Sequence, residues 1–308
     1  MAATRSGTLD LGQGRFVTAH ALPMKMLLRA LHFVRRQPLG TVGFLIVLAL
    51  ILAAVFAEQV APYSPDKQNL RHRLEGPSAD HWLGTDYTGR DTFSRLVYGA
   101  RISMMVGFGA VVIGSTGAAA LGIISGYLGG WSDKIIQRFV EAWQAMPGLV
   151  ILLTILGIVR RMENVNVVFA MVLAIGLLSI AGSSRVIRAQ AFTIRHQPYV
   201  EAAKATGAGH VRIIWYYILP NVLPLILVSM TVALGGVILA EASLSFLGFG
   251  PAGEPSWGQM LSIDGREHMR RQAGLAIWPG GCIALAVFGF NIFGDALRAT
   301  LAPRLRQG

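Results

Sequence analysis

Glu141 and Glu241 fall within apolar stretches of a chain that is 53% hydrophobic and only 14% charged. On insertion scales an acidic residue in mid-span costs about 2.5–3.5 kcal/mol, so it pairs with protein or faces water, and function is the first reading. Three roles are open to them: a structural pair, a gate or pathway residue, or a proton carrier. Glu141 lies near the end of its apolar stretch, and Glu241 precedes Ala242-Ser243-Leu244-Ser245, where small residues suit tight helix packing. Other chemistry is thinly represented. The seven histidines show no HxxxH or HExxH spacing, and the single cysteine, Cys282, sits in an apolar run, so a metal site and an intrachain disulfide are not expected. Gly84 and Gly89 have phosphate-loop spacing, but Arg90-Asp91 replaces the Lys-Ser/Thr pair and no buried strand precedes them. No nucleophile stands beside a base. The chain reads as a non-enzyme with no cofactor of its own.

A second stretch suits docking rather than chemistry. Pro198-Tyr199-Val200-Glu201-Ala202-Ala203-Lys204-Ala205-Thr206-Gly207 is polar, small and cationic between oily neighbours, and it runs on to Ile218-Leu219-Pro220-Asn221. Proline fits the first turn of a helix, and the alanines are strong helix formers without bulk. Gly207 offers a break, because glycine reaches left-handed backbone angles cheaply. A second short helix from about Gly209 would run through Trp215-Tyr216-Tyr217 back into a membrane. A plain amphipathic loop helix is the plainer reading of the same residues.

Apolar runs, each long enough to cross a bilayer, which takes about 20 residues, mark the elements that must position these groups. They fall at 37–57, 102–132, 139–159, 165–183, 218–247 and 275–294, the third interrupted at Met146-Pro147-Gly148 and the second rich in glycine. The expectation is an all-α integral membrane protein of about six transmembrane helices in a lipid bilayer. Small residues and the breaks at Pro147, Pro220 and Pro224 would let its helices approach and bend. Residues 1–38, with six basic residues and a modestly amphipathic piece at Met24–Val34, read as a cytoplasmic tail rather than a signal peptide. Six spans put both termini on one side. Of the 27 Lys and Arg, 16 then lie on the same side as the tail and the Glu201 loop, so the positive-inside rule places that loop in the cytoplasm. The net charge of +11 is accounted for by these flanks, and no basic stripe with stacking aromatics suggests nucleic acid.

Glu201-Ala202-Ala203, Gly207 and Leu219-Pro220 resemble the EAA loop of permease subunits of binding-protein-dependent ABC importers. The usual pattern has isoleucine two places before the leucine; here that place is Tyr217. Ahead of the second span, Gly84-Thr85-Asp86, Gly89-Arg90-Asp91 and Ser94-Arg95 are similar to the C-type subunit of the dipeptide, oligopeptide and nickel permeases. So are Glu254-Pro255-Ser256-Trp257-Gly258, Asn291-Ile292-Phe293-Gly294-Asp295 and Pro303-Arg304, although Ala296 stands where many members carry glycine. The likeness spans about residues 38–306.

The resemblance implies a type I ABC importer permease fold in the bacterial inner membrane. It divides the chain into a tail (1–38), a first helix with a long outer loop (39–100), and a permease core (101–308) with its coupling loop at about 185–221. Tyr199, Glu201, Ala202, Ala203, Lys204, Gly207, Leu219 and Pro220 would dock a cytoplasmic ATPase, and Glu141 and Glu241 are the candidates for a gate or pathway. The implied partners are a second homologous permease, ATPases carrying ATP and Mg, and an extracytoplasmic substrate-binding protein, with peptides translocated. The alternative is an ion-coupled secondary transporter, which would want paired broken helices and an intramembrane ionisable cluster. In the outer loop, Asp86, Arg90, Asp91, Arg95 and Arg101 are expected to form one ion-pair network.

Overall fold

A computed structural model describes residues 37–162, 165–251 and 253–301. The N-terminal tail with its Met24–Val34 piece, and Pro303-Arg304, lie outside the described residues. The described chain is all-α. Its long helices are α1 (Pro38–Val55), α3 (Thr92–Leu128), α6 (Val167–Arg195), α8 (His210–Phe249) and α10 (Gly274–Leu301). The shorter ones are α2 (Ala57–Val60), α4 (Gly130–Ala145), α5 (Gly148–Val159), α7 (Pro198–Ala205) and α9 (Trp257–Met260). Five helices are long and apolar enough to cross a membrane, and α4 with α5 makes a sixth if the bent pair counts as one span.

That pair occupies the interrupted span expected at 139–159, broken where the sequence places Met146-Pro147-Gly148. Its two halves meet at 79° across Met146-Pro147. Met146 is extended, at φ −86° and ψ 137°, as the residue before a proline prefers, and Pro147 has no N–H to continue a helix. The 12-residue α5 reaches only about 18 Å, well short of a hydrocarbon core of about 30 Å. The long outer loop is also shorter than expected. It ends at Asp91, whose carboxylate accepts the Ser94 N–H at 2.8 Å and caps α3 nearly three turns before the apolar run begins.

Five glycines of α3, from Gly109 to Gly126, lie against α6, whereas Gly99 meets Trp257 and Gly107 meets α8. A Cβ on Gly114 would fall 3.0 Å from the Gly176 carbonyl oxygen, and one on Gly126 would fall 2.5 Å from that of Arg188. Backbone approach this close is what small residues permit where no water drives helices together. One apolar core joins α1, α3, α6, α8 and α10 around Val106, Met171, Ile238 and Phe290. A second, nearer the loop of interest, gathers Ile123 and Tyr127 of α3, Ile187 and Ile194 of α6, Val200 of α7, and Ile213 and Ile218 of α8.

Candidate functional site

Chain chemistry builds the EAA loop from its first residue. Gln197 is extended ahead of Pro198, which occupies the first turn of α7. Glu201 sits in that first turn and Lys204 in the last, each complementing the helix dipole. The C-terminus closes with paired reverse bonds: Ala208 N–H donates to Ala203 O at 3.0 Å, and Gly207 N–H to Lys204 O at 2.9 Å. Gly207 carries the positive φ of 84° that this closure demands. The expected glycine turn is therefore present.

Faces of α7 sort the candidates. Tyr199, Glu201, Ala202, Lys204 and Gly207 are exposed. Ala203 is buried within this chain, as is Val200, which belongs to the second core. A helix of eight residues laid on that core must turn one side inward, and Val200 and Ala203, three apart, share that side. Leu219 and Pro220 do not begin a separate helix. They lie within α8, where a π turn over Ile214–Ile218 precedes them and Leu219 N–H donates to Ile214 O. The wider turn accommodates a proline whose ring would crowd the carbonyl four residues back in an α-helix. Tyr199 stacks on Tyr217, with ring centroids 6.4 Å apart, and holds α7 against this turn.

The outer network has a different membership from the one expected. Asp86 accepts from Arg90 Nε at 2.6 Å and from Arg95, and Arg95 Nη1 also reaches Asp264 Oδ2 at 2.9 Å. Asp91 instead binds His81 at 2.9 Å, and Arg101 pairs with Glu58 at 3.1 Å on the exposed rim. Burial alone would raise the Asp86 carboxyl, but Arg95, the Arg90 N–H, Thr88 and the Arg90 charge together hold it below the usual range. Asp264 fares the other way. Burial, with repulsion from Asp86 added, pushes it to about 6 against the pull of Arg95 and Arg90. Its Oδ1 has no hydrogen-bond partner among the described residues. Trp257 ties the same region together, donating from Nε1 to Leu96 O at 2.9 Å.

Glu241 is fully buried, and its partners are hydroxyls: Ser103 Oγ at 2.9 Å, Ser245 Oγ at 2.7 Å, and Ser256. Glu141 lies on an exposed face of α4 and pairs with Arg138 at 3.1 Å. The structure does not bring the two acids together. Sequence reasoning missed Asp264, the serine shell of Glu241, and the inner pair Asp133–Arg188, in which Arg188 donates twice to Asp133 at 2.6 Å. The only signal for Asp264 was an acidic residue between two apolar runs; for the serines there was none. Among the described residues no three His, Cys, Asp or Glu side chains gather where they could hold a metal ion.

These features define a class: a multi-pass helical membrane protein with a small polar loop seated on an inner core. Residues 118–307 match the family described as binding-protein-dependent transport system inner membrane component. Residues 26–77 match the N-terminal TM domain of oligopeptide transport permease C. The chain is 39% identical to a dipeptide transport system permease protein of Alkalihalophilus pseudofirmus, covering 89% of this chain and 88% of that one. It is 37% identical to a glutathione transport system permease protein of Pectobacterium atrosepticum, covering 88% and 89%. With an oligopeptide transport system permease protein of Bacillus subtilis it shares 36% identity, covering 89% and 88%. A solved amino acid ABC transporter overlays 68% of this chain and 90% of its own at 21% identity and a TM-score of 0.47. The chain belongs to the family of binding-protein-dependent transport system inner membrane components, and it is a permease subunit of an ABC importer.

Proposed function

We propose that this subunit carries peptides of the di- or oligopeptide class across the bacterial inner membrane, with its termini and the Glu201 loop in the cytoplasm. A second homologous permease completes the pathway, an extracytoplasmic binding protein delivers the substrate, and cytoplasmic ATPases hydrolyse ATP with Mg. The chain itself binds no nucleotide. The observation that carries this reading is α7: a short helix whose outer face is Glu201, Ala202 and Ala205, closed by Gly207 and backed by the chain's own core. A small, rigidly backed face admits close packing by another protein, and closure of the ATPases would push on it as a unit. The peptide class rests on the relatives named as dipeptide and oligopeptide permeases. In this reading the chain divides into a tail (1–38), a first helix with a long outer loop (39–100) and a permease core (101–308).

The test is reconstitution of the complete assembly in liposomes, with binding protein and labelled peptide on one side and MgATP on the side of the Glu201 loop. Peptide uptake that requires both MgATP and the ATPases is expected. Uptake without ATPases, driven by an ion gradient, would overturn the proposal in favour of a secondary carrier.

A further inference from the structure

Tyr127 touches both limbs of the EAA loop at once. Its hydroxyl lies 3.0 Å from Nδ1 of His210, the first residue of α8, with the two rings edge to face. Lys204, in the last turn of α7, sets Nζ over the Tyr127 ring 5.6 Å from its centroid. The Tyr127 carbonyl accepts from Arg195 Nη1 at 3.1 Å, at the end of α6. A single buried residue of α3 thus meets the helix before the loop, the loop helix and the helix after it. The end of α3 is shaped around this meeting. Gly129 turns at φ +67°, and a Cβ there would fall 2.3 Å from Arg195 Nη1. One turn on, Asp133 accepts from Ser125 and fixes Arg188, so α3 and α6 are clamped beside Tyr127.

The far end of α3 is held as firmly. The helix runs unbroken for 37 residues, about 55 Å, and Arg95 in its first turn is locked between Asp86 and Asp264. We propose that Tyr127 is the positioning residue that keys the coupling loop to α3, so that displacement of the loop is carried along α3 to the outer rim. The reason is the cost of moving one without the other. A buried phenol hydroxyl needs a partner, and a loop that slid past α3 would strip Tyr127 of His210 and take Lys204 off its ring. An apolar side chain here would pack but would let the loop slip. This proposal rests on the reading of α7 as an ATPase dock.

The test uses the complete reconstituted assembly with Tyr127→Phe, Tyr127→Leu, His210→Ala and the Tyr127→Phe/His210→Ala pair. ATPase co-purification, ATP hydrolysis and peptide uptake are measured together. Tyr127→Phe and His210→Ala should each retain the ATPases and their hydrolysis while uptake per ATP falls roughly two- to tenfold, as loss of one buried hydrogen bond would give. Tyr127→Leu should fall further, and the double variant should be no worse than its worse single. Parental uptake per ATP in Tyr127→Phe and His210→Ala, a multiplicative loss in the double variant, or loss of ATPase binding in Tyr127→Phe would each overturn the proposal. If Tyr127→Leu fails to reach the membrane, the other three variants decide. Failure of the parental assembly to retain ATPases would instead sink the docking reading itself.

Discussion

Arg95 and Asp264 are 169 positions apart in the chain, yet Arg95 Nη1 stands 2.9 Å from Asp264 Oδ2, both side chains buried. The contact fastens the start of α3 to the segment between α8 and α10, and Asp86, held by the same Arg95 Nη1, adds the outer loop. Removing the shared cation leaves two buried carboxylates facing each other. Arg95→Leu should destabilise the outer rim by about 3–5 kcal/mol, the usual cost of breaking a buried pair from one side. Thermal unfolding in detergent, with proteolysis of the loop at 70–91, measures it. A change below about 1 kcal/mol would show that the network adds little.

Asp264 also sets a pH dependence. Its carboxyl titrates near 6 in the fold, against 3.8 ordinarily, so between those values the folded chain holds a proton that the unfolded chain has released. Its contribution is therefore fully present below about 4 and is lost as pH rises through about 6. Asp86, lowered, acts in the opposite sense and below that window. The outer loop should thus exchange its amide hydrogens through more frequent opening at pH 7.5 than at pH 5, after correction for intrinsic rates. Asp264→Asn should flatten the difference. An Asn variant with the parental pH profile would rule Asp264 out as its source.

The serine shell of Glu241 predicts a contrast between two substitutions. Glu241→Gln keeps an acceptor and a donor for Ser103 and Ser245, and should cost at most about 1 kcal/mol with uptake preserved. Glu241→Leu strands both hydroxyls, at about 1–3 kcal/mol for each group. Membrane level and uptake read out both. Abolished uptake in Glu241→Gln at normal membrane level would make the ionisable group itself essential, as in a proton path.

Topology has a direct check. In a Cys282→Ser background, Ser78→Cys should react with an impermeant thiol reagent in intact cells, and Val211→Cys, on a side chain 71% exposed, only after permeabilisation. Equal labelling of both from outside would contradict the tails-in arrangement.

Much of this was legible in the residues because it is local. Pro198 and Gly207 bracket α7 as their backbone preferences require, and five of the six apolar runs fall on the five long helices. Helix α3 starts well before its apolar run, since the cap at Asp91 rather than hydropathy decides where it begins. The break at Met146-Pro147 was visible as a break, but its 79° angle depends on how α5 packs on α6. Ala202 and Ala203 are chemically identical, and only the packing of Val200 and Ile213 assigns one outward and the other inward. Arg95 and Asp264 left no local trace, because a pair so distant in sequence is made by the fold.

The orientation of α7 gives the central claim its sharpest test. Ala202 faces outward, whereas Gly207 holds the closing turn at φ +84° with open space around it. Ala202→Trp should obstruct an ATPase groove without disturbing this chain, and Gly207→Val should add about 1–2 kcal/mol of strain at the turn. Ala203→Trp serves as the contrast, because it overpacks the chain's own core at about 1–3 kcal/mol and should lower membrane level. The decisive measurement is membrane level, ATPase co-purification and peptide uptake of Ala202→Trp in one assembly. Normal level with lost ATPase retention or lost uptake is the predicted result; parental retention and parental uptake would contradict the account of α7 as the coupling helix.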